Sequence, residues 1–481
     1  MNHKMIRYII GSLLMVEGIL ILFPAIAAII YRESCFWCFL AVTAVTLLIG
    51  WLLRRKKPAH TKIYATEGYV SVALSWIIMS IFGALPLFFS GYYPNPIDAL
   101  FEIVSGFTTT GATILSDVEC LPKSILLWRS FSHWIGGMGV LVFILAILPV
   151  AGGSSMHLMK AESPGPSVGK LVPKVRSTAK LLYSIYIALT LLEIILLAIA
   201  GAPLFDAVNL AFSTAGTGGF GIFNSSAGAY SPAIQVILTI FMILFGVNFN
   251  VYFLLYIKSY RDAWKCEEMR AYFAIILAAG VIIAVNILPL YASAGDAILH
   301  SFFQVASIIT TTGFSSADFN LWPELSKTIL VVLMFVGACA GSTGGGMKVS
   351  RIIVMLKTIG KELTTITHPR TIRKIRLEGK PIEHEVLRSV NVYVMAYISI
   401  FVVSLLLITL DGKDAITNFT SIAATLNNVG PGLAQVGPVE NFGHFSNLSK
   451  LVFIFDMLAG RLELFPMLIL CSPGVWKKRW S

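Results

Sequence analysis

The chain has 481 residues, of which 56% are hydrophobic and 13% are charged, and its mean hydropathy is +0.80. A water-soluble globule could not cover so much apolar surface, so this composition excludes a soluble protein and indicates one that is solvated by lipid. The formal net charge is +11 at pH 7. Whether this charge indicates a nucleic-acid partner depends on where the basic residues lie.

Apolar stretches of about 20 residues recur along the chain, and each is long enough to cross about 30 Å of hydrocarbon as a helix. The predicted spans are residues 8–30, 36–53, 68–90, 125–150, 181–200, 232–257, 271–292, 327–356, 389–410 and 448–471. The first span has no small-residue cleavage site after it and a second span follows almost at once. We therefore interpret it as a retained helix and not as a signal peptide.

Lys and Arg are concentrated in alternate connections between these spans. Most of them lie in residues 4–7, 54–62, 160–180, 258–270, 348–388 and 477–479. The positive-inside rule predicts that this side is cytoplasmic and that both termini lie there. The basic charge is thus explained by membrane topology, and no nucleic-acid partner is expected.

Four connections on the opposite, outer side are too apolar for ordinary loops and share one pattern. They read DALFEIVSGFTTTGAT from Asp98, DAVNLAFSTAGTGGF from Asp206, DAILHSFFQVASIITTTGF from Asp296 and DAITNFTSIAATLNNVGPG from Asp414. Each begins with Asp-Ala, continues through a short apolar segment and ends in a small-polar turn, around Gly111, Gly216, Gly313 and Gly430. A motif that recurs in matching positions indicates an internal repeat.

Each of these connections is predicted to be a re-entrant half-helix. The Asp is expected to cap its outer end, and the segment is too short to span the membrane. Its C-terminal end, with a partial negative charge, then points at the membrane interior. The chain that follows must be extended, which is tolerated at that depth where it lines an aqueous path. Such a strand offers carbonyl oxygens to a dehydrated cation, and glycine permits the close backbone approach.

On these motifs the chain resembles the Trk/Ktr/HKT superfamily of potassium transporters, from about Tyr64 to its end. The segments FTTTGAT, FSTAGTGGFG, ITTTGF and NNVGPG are similar to the four filter loops of that superfamily. The resemblance implies an all-α polytopic membrane protein with four membrane-pore-membrane repeats around a pseudo-fourfold pore. Two extra transmembrane helices precede the repeats, as in the TrkH branch. The implied limits are 1–63 for those two helices and 64–160, 161–265, 266–365 and 366–481 for the four pore repeats, the third of which contains a Gly-rich gating loop.

The resemblance also implies that K+ is the transported ion, bound in the filter, and that the chain carries no organic cofactor. The implied filter residues are Thr109, Thr110, Gly111, Ala215, Gly216, Thr312, Gly313, Asn428, Val429 and Gly430. In related plant transporters, a Ser in place of the first filter glycine goes with sodium transport. Gly111 at that position favours potassium, and a sodium or sodium/potassium transporter of the same fold is the alternative.

The predicted span 327–356 is interrupted by GACAGSTGGGMK, which matches an intramembrane loop that obstructs the path below the filter in this superfamily. Helix packing is the structural alternative for so many glycines. A phosphate-binding loop is excluded because Lys348 does not directly follow the second glycine of that pattern and no Ser or Thr follows it. The implied gate residues are Gly341, Ser342, Thr343, Gly344, Gly345, Gly346, Lys348 and Arg461.

Four charged or titratable side chains in the predicted spans and half-helices have more than one interpretation. Arg461 matches the arginine that faces the loop below the filter, and a structural salt bridge with Glu463 or Asp456 is its alternative. Arg129 and His133 could anchor at the interface or fill a core. Glu102 could hold a neighbouring loop or add negative potential at the pore mouth.

The expected function is potassium uptake across the bacterial inner membrane through this gated filter. An enzyme is a distant alternative, because the 8 His are dispersed and no nucleophile-base pairing is evident. The resemblance further implies a homodimer and a cytosolic regulatory ring, similar to TrkA, that binds the nucleotides NAD or ATP. The basic residues Arg370, Arg373, Lys374 and Arg376 fit either that partner or anionic membrane lipid.

Overall fold

The computed structural model describes residues 1–56, 58, 64–137, 139, 175–370 and 374–477. Within these ranges the chain is helical apart from short turns, extended loops and one small β-hairpin. The helices are α1 (His3–Ile30), α2 (Phe36–Arg54), α3 (Ala65–Phe89), α4 (Pro96–Phe107), α5 (Lys123–Gly137), α6 (Val175–Ile199), α7 (Leu204–Gly216), α8 (Pro232–Gly246), α9 (Phe249–Tyr256), α10 (Tyr260–Lys265), α11 (Glu267–Ile287), α12 (Ala294–Ile309), α13 (Glu324–Val336), α14 (Val349–Thr367), α15 (His384–Ile408), α16 (Ala415–Leu426), α17 (Asn447–Arg461), α18 (Phe465–Cys471) and α19 (Pro473–Lys477). The hairpin pairs β1 (Arg376–Leu377) with β2 (Lys380–Pro381) in antiparallel register.

Six helices in the described part of the chain are long and apolar enough to cross a membrane, which makes the protein polytopic. They are α1, α2, α3, α6, α11 and α15. The predicted span 232–257 is not one continuous helix: α8 ends at Gly246, and α9 continues at 89° to it. Hydropathy does not register this break because the residues on both sides of it are apolar.

The remaining predicted spans contain shorter helices within the described residues. Helices α5, α8 and α17 have 15 residues each and α13 has 13, which gives each a length of about 20 Å. The predicted spans 327–356 and 448–471 are accordingly broken, after Val336 and after Arg461. The prediction 125–150 is observed as helix up to Gly137, and its remaining part lies almost wholly outside the described residues.

The helices repeat as four units of a long helix, a half-helix and a shorter helix. The half-helices are α4, α7, α12 and α16, and they connect α3 with α5, α6 with α8, α11 with α13 and α15 with α17. The predicted fold class, four membrane-pore-membrane units preceded by two extra helices, is confirmed. The domain limits within the chain stay predictions, and the limit at 160 lies outside the described residues.

The N-terminal pair is tied to the first unit at the outer end of the pair. Helices α1 and α2 pack on each other, and α1 also contacts α3 and α5. In the turn between α1 and α2, the Glu33 carboxylate accepts from the backbone amides of Lys123, at 2.7 Å, and Ser124, at 3.0 Å. These amides begin α5 and have no partner within the helix, so Glu33 caps that helix from another element.

The half-helices do not all begin as the sequence predicts. Asp414 is the N-cap of α16, and its carboxylate accepts from the amide of Thr417 at 2.9 Å. Asp98, Asp206 and Asp296 instead lie in the first turns of their helices, whose N-caps are Asn95, Pro203 and Ser293. A carboxylate in the first turn still interacts favourably with the positive end of the helix dipole. The Asp-Ala motif therefore marks the helix start without always supplying the cap.

Candidate functional site

The four half-helices end in the same backbone conformation. One residue in each adopts a left-handed conformation, with φ of 55°, 55°, 58° and 56° at Thr109, Thr217, Thr311 and Asn428. The amide of the next residue bonds back to the carbonyl five positions earlier at 2.8–2.9 Å, as in a Schellman motif. A glycine with positive φ follows, at Gly111, Gly219, Gly313 and Gly430. The same three-residue unit thus occurs four times.

In the second repeat this unit lies three residues beyond the predicted position. Ala215 and Gly216 belong to the last turn of α7, and the residues in the positions of Thr110 and Gly111 are Gly218 and Gly219. A Cβ at Gly216 would overlap the backbone carbonyl of His133, so glycine is required there for close packing on α5. The prediction for this repeat is therefore corrected to Thr217, Gly218 and Gly219.

The four glycines and the carbonyls beside them form a closed ring. A Cβ at Gly111 would overlap the carbonyl oxygen of Gly218, one at Gly219 that of Thr312, and one at Gly313 that of Val429. A Cβ at Gly430 would lie 2.7 Å from the carbonyl oxygen of Thr110, which returns the sequence of contacts to the first repeat. The strands therefore surround one axis, and no side chain fits at the glycine positions.

Side-chain hydrogen bonds support the ring from behind. The hydroxyl oxygens of Thr108 and Thr110 lie 2.8 Å apart, and those of Thr310 and Thr312 lie 2.7 Å apart. The Asn428 amide donates to the Thr110 hydroxyl and to the Met457 carbonyl, both at 2.9 Å. The Thr110 and Thr312 hydroxyls are therefore engaged within the protein.

On the side away from the half-helices, the ring opens into a vestibule lined by all four post-glycine strands. Gly111, Gly219, Gly313 and Gly430 lie at its base, and Glu440 contributes to its wall. At the rim, the Asn224 side chain donates to Asp117 at 2.8 Å and accepts from the amide of Val118 at 2.8 Å. The bond from Asn224 lowers the pKa of the Asp117 carboxyl. The rim therefore keeps a negative charge, which attracts cations.

A buried ion pair positions the strands of the first two repeats. Glu102 lies 2.7 Å from Nη2 and 2.9 Å from Nε of Arg129, and it also accepts from the Thr113 hydroxyl at 2.9 Å. The Arg129 guanidinium lies 4.1 Å from the ring centre of Phe220, which follows Gly219. Of the two interpretations of Glu102, the structure favours the one in which it holds a loop. Of the two interpretations of Arg129, the structure favours the one in which it fills a core, because its side chain is buried.

His133 packs directly behind the ring of carbonyls. Its imidazole is fully buried, and its ring centre lies 4.3 Å from that of Phe220. A Cβ at Gly218 would overlap the imidazole, so the two residues fit together as packing partners. The core interpretation of His133 is the one that this geometry favours.

The Gly-rich segment, residues 337–348, forms a loop beneath the ring. It begins at Gly337 with φ 71° and ends at Lys348 with φ 74°. The Gly345 amide donates to the Thr311 hydroxyl at 2.6 Å, and the Gly346 amide donates to the Asn427 carbonyl at 3.1 Å. The loop is thus hydrogen-bonded to the inner ends of the third and fourth half-helices.

The break between α8 and α9 supplies further partners for this loop. The Gly246 carbonyl accepts from the Cys339 amide at 3.1 Å, and the Phe249 amide donates to the Gly341 carbonyl at 3.0 Å. The Thr343 hydroxyl donates to the Phe245 carbonyl at 3.2 Å. Backbone groups freed by the break in one repeat are therefore satisfied by the loop of the next.

Two cationic side chains donate hydrogen bonds to carbonyls of the loop. Arg461 donates to the Thr343 carbonyl at 2.8 Å and to the carbonyls of Gly136 and Gly137 at 2.5 and 2.6 Å. Lys348 is buried and donates to the Gly344 carbonyl. Arg461 thus joins the inner ends of three repeats.

The salt-bridge alternatives for Arg461 have other partners. Glu463 pairs with Arg351, and the Nη1 atom of Arg351 lies 3.2 Å from the Oε1 atom of Glu463. Asp456 accepts from the Ser404 hydroxyl at 2.7 Å. The contacts of Arg461 with backbone carbonyls are those expected of a residue that faces the loop, since a guanidinium offers five donors.

The buried pair of Glu102 and Arg129 makes a prediction about stability. Arg129→Met leaves a buried carboxylate without its counter-charge, so we expect a loss of about 3–5 kcal/mol in the free energy of unfolding. Denaturation of the purified protein in detergent measures this loss. Lys327→Met is the control, because its partner Glu324 is exposed and such pairs contribute about 0–1 kcal/mol. Equal effects of the two changes would contradict the structural role of the pair.

Comparisons with known proteins agree with this architecture. Residues 36–478 match the family described as TrkH, cation transport protein. The chain is 38% identical over 488 residues to the Trk system potassium uptake protein TrkH of Salmonella typhimurium, covering 99% of this chain and 100% of that one. It is 31% identical over 484 residues to the Trk system potassium uptake protein TrkG of Escherichia coli, covering 98% and 99%. The crystal structure of the potassium transporter TrkH from Vibrio parahaemolyticus superposes with a TM-score of 0.89 at 35% identity, over 99% of this chain and 100% of that one. The chain belongs to the TrkH family of cation transport proteins.

Proposed function

We propose that this protein takes up potassium across the bacterial inner membrane through the ring of carbonyls described above. The observation that carries the proposal is the closed ring of Thr110, Gly218, Thr312 and Val429, which offers carbonyl oxygens in place of the hydration shell of K+. The relatives named as potassium uptake proteins support the choice of ion. The membrane potential supplies about 2.3 kcal/mol per charge per 100 mV to draw the cation inward.

The proposed filter has no side chain at any of its four glycine positions. Gly111, Gly219, Gly313 and Gly430 each face a neighbouring carbonyl, and their φ values of 76° to 103° lie in the region that favours glycine. Potassium selectivity then depends on the carbonyl ring keeping its shape. A sodium transporter of the same fold is expected to lack one of these glycines.

The loop 337–348 is the proposed gate. It lies under the ring, and both Lys348 and Arg461 place positive charge beside it. A cation that leaves the filter inward meets the loop and two like charges. Withdrawal of the loop removes the steric obstruction and separates Arg461 from the Thr343 carbonyl.

The proposed regulation is cytosolic. We expect a homodimer, with both termini in the cytoplasm, that binds a TrkA-like nucleotide-binding ring through its basic cytoplasmic surface. Arg370, Lys374 and Arg376 are exposed on the described part of that surface. Arg373, the fourth basic residue predicted there, lies outside the described residues.

The first functional prediction tests the filter register. Gly219→Ser adds a Cβ that overlaps the Thr312 carbonyl at φ 76°, so it distorts the ring. We expect the selectivity for K+ over Na+, measured as flux into liposomes, to fall about tenfold, which is about 1.4 kcal/mol. Gly111→Ser should act in the same direction.

Gly221→Ser is the matched control for this register. The nearest atom to a Cβ at Gly221 lies 3.4 Å away, so the substitution fits. The selectivity of this variant should equal that of the parent protein. If Gly221→Ser and Gly219→Ser behaved alike, the assignment of Gly219 to the filter would be wrong.

The second prediction tests the gate. Arg461→Ala removes three hydrogen bonds to carbonyls and a positive charge below the filter. We expect basal potassium flux in liposomes to rise several-fold, and deletion within Gly341 to Gly346 to have the same effect. Arg388→Ala, at an exposed cytoplasmic arginine, is the control and should leave the flux unchanged. A correctly folded Arg461→Ala variant that conducts less than the parent would show that the loop serves packing.

The third prediction concerns the regulator. Reversing the charge at Lys374 and Arg376 should weaken binding of the cytosolic ring about tenfold in pull-down from detergent, where no lipid surface competes. Sedimentation with vesicles of anionic lipid distinguishes the alternative. If the double variant keeps its affinity for the cytosolic regulatory ring and loses vesicle binding, these residues bind anionic lipid and not the regulator.

A further inference from the structure

The first turn of α11 contains a carboxylate that holds both ends of the loop. Glu268 is 5% exposed. Its Oε1 accepts from the Ala340 amide at 2.7 Å and from the Ser350 amide at 3.0 Å. Ala340 lies at the start of the loop 337–348, and Ser350 lies in the first turn of α14, directly after it. One oxygen atom thus brings the entry and the exit of the loop together.

This position suits a carboxylate for two reasons. The Ser350 amide belongs to the first turn of α14, where helical amides have no partner within the helix and the dipole is positive. The Ala340 amide is in a non-helical segment at membrane depth, where an unpaired donor is costly. A single charged acceptor satisfies both, and charge-assisted hydrogen bonds are stronger than neutral ones.

The neighbouring residue connects the same turn to the cytoplasmic surface. Glu267 pairs with Lys357, two turns along α14 from the loop. The Lys357 ammonium also donates to the carbonyl of Arg376, the first residue of the hairpin β1–β2, at 2.8 Å. The hairpin is therefore bonded to α14 through Lys357, which also pairs with Glu267 on α11.

We propose that Glu268 is a positioning residue that clamps the loop 337–348 in its obstructing form, and that Glu267 and Lys357 connect this clamp to the cytoplasmic hairpin 376–381. Displacement of the hairpin moves Lys357 and with it α14, which carries the Ser350 amide away from Glu268. The clamp then opens at the end of the loop that lies farthest from the filter. This inference rests on the proposed gating role of the loop and identifies how a signal at the cytoplasmic surface reaches it.

A native thiol in the loop reports on the clamp without any measurement of flux. Cys339 is fully buried, and its amide is bonded to Gly246. In a chain where Cys35, Cys38, Cys120, Cys266 and Cys471 are replaced by Ser, a small methanethiosulfonate reagent modifies Cys339 alone. The rate of that modification in proteoliposomes measures how often the loop leaves its position.

We expect Glu268→Ala to raise the rate of Cys339 modification at least tenfold. Glu268→Gln should raise it less, because the amide oxygen still accepts both hydrogen bonds. Lys357→Met should raise it several-fold, and combining it with Glu268→Ala should add nothing, since both act through one connection. Lys361→Met is the matched control, because Lys361 lies one turn further along α14 and interacts with Glu362 at 3.8 Å; it should leave the rate unchanged.

A second thiol distinguishes clamp opening from general unfolding. Cys35 is buried at 3% exposure at the start of α2, remote from the loop, and in a chain that keeps only this cysteine its rate must not change. Protection of Cys339 that persists in Glu268→Ala would overturn the proposal, and so would equal rates in Lys357→Met and Lys361→Met. Flux separates the two proposals: exposed Cys339 without increased flux contradicts the gate and supports the clamp, whereas increased flux in Arg461→Ala with Cys339 protected in Glu268→Ala contradicts the clamp alone.

Discussion

Every backbone group that leaves a helix at membrane depth must find a partner inside the protein, and the pore of this protein is organised around that constraint. The half-helices meet it with Schellman turns, which use the carbonyls at the helix end and leave the next carbonyl free. The freed carbonyls of the four repeats then form the ring. The broken helices meet the constraint with contacts between repeats, so their breaks depend on one another. The Gly-rich loop uses the groups exposed at the break after Gly246, the hydroxyl of Thr311 and the carboxylate of Glu268.

The ring is fourfold, but the structure beneath it is not. In the described part of the chain, the loop comes from the third repeat, Arg461 from the fourth and the carbonyls that Arg461 contacts from the first and third. Four identical subunits would present four such loops to one axis, which has room for fewer. A single chain with diverged repeats can place one loop and one arginine there. Asn428, which stands where the other three repeats have Thr109, Thr217 and Thr311, similarly makes a lateral bond to Thr110.

The sequence was sufficient for features that depend on composition and recurrence. The long helices follow from apolar runs, and the four units follow from a motif that recurs at matching positions. The register of the second repeat could not be obtained this way, because STAGTGG offers three glycines and the choice depends on packing. Gly216 is in contact with His133 on another helix, and α7 continues through this first glycine as its last residue. The break in the span 232–257 was equally invisible to hydropathy, since the partner of the freed Gly246 carbonyl is the Cys339 amide of a loop distant in sequence.

The roles of the buried charges were harder to predict for the same reason. A Glu within a membrane segment indicates a function or a partner, but the partners of Glu102 and Glu268 include backbone amides and hydroxyls that are distant in sequence. Backbone partners have no residue identity that a pattern could reveal. In the sequence, the two carboxylates have no recognisable partner. In the structure, each holds a loop in place through its hydrogen bonds. The contact of Arg129 with Phe220 could not be predicted either, because these two residues belong to different repeats.

In the gate proposed above, the positions of Lys348 and Arg461 would make gating electrostatic as well as steric. A like charge a few ångströms from the path raises the energy of a permeating cation strongly at low dielectric. In the obstructing form, Arg461 and Lys348 point at loop carbonyls, whose dipoles offset part of their charge. When the loop withdraws, those carbonyls leave with it, so an open path requires that the two cations also move or gain other acceptors. Lys348 belongs to the loop and moves with it, whereas Arg461 stays on α17 and keeps the carbonyls of Gly136 and Gly137. In the proposed open form, these two carbonyls would offset the charge of an arginine that stays beside the path.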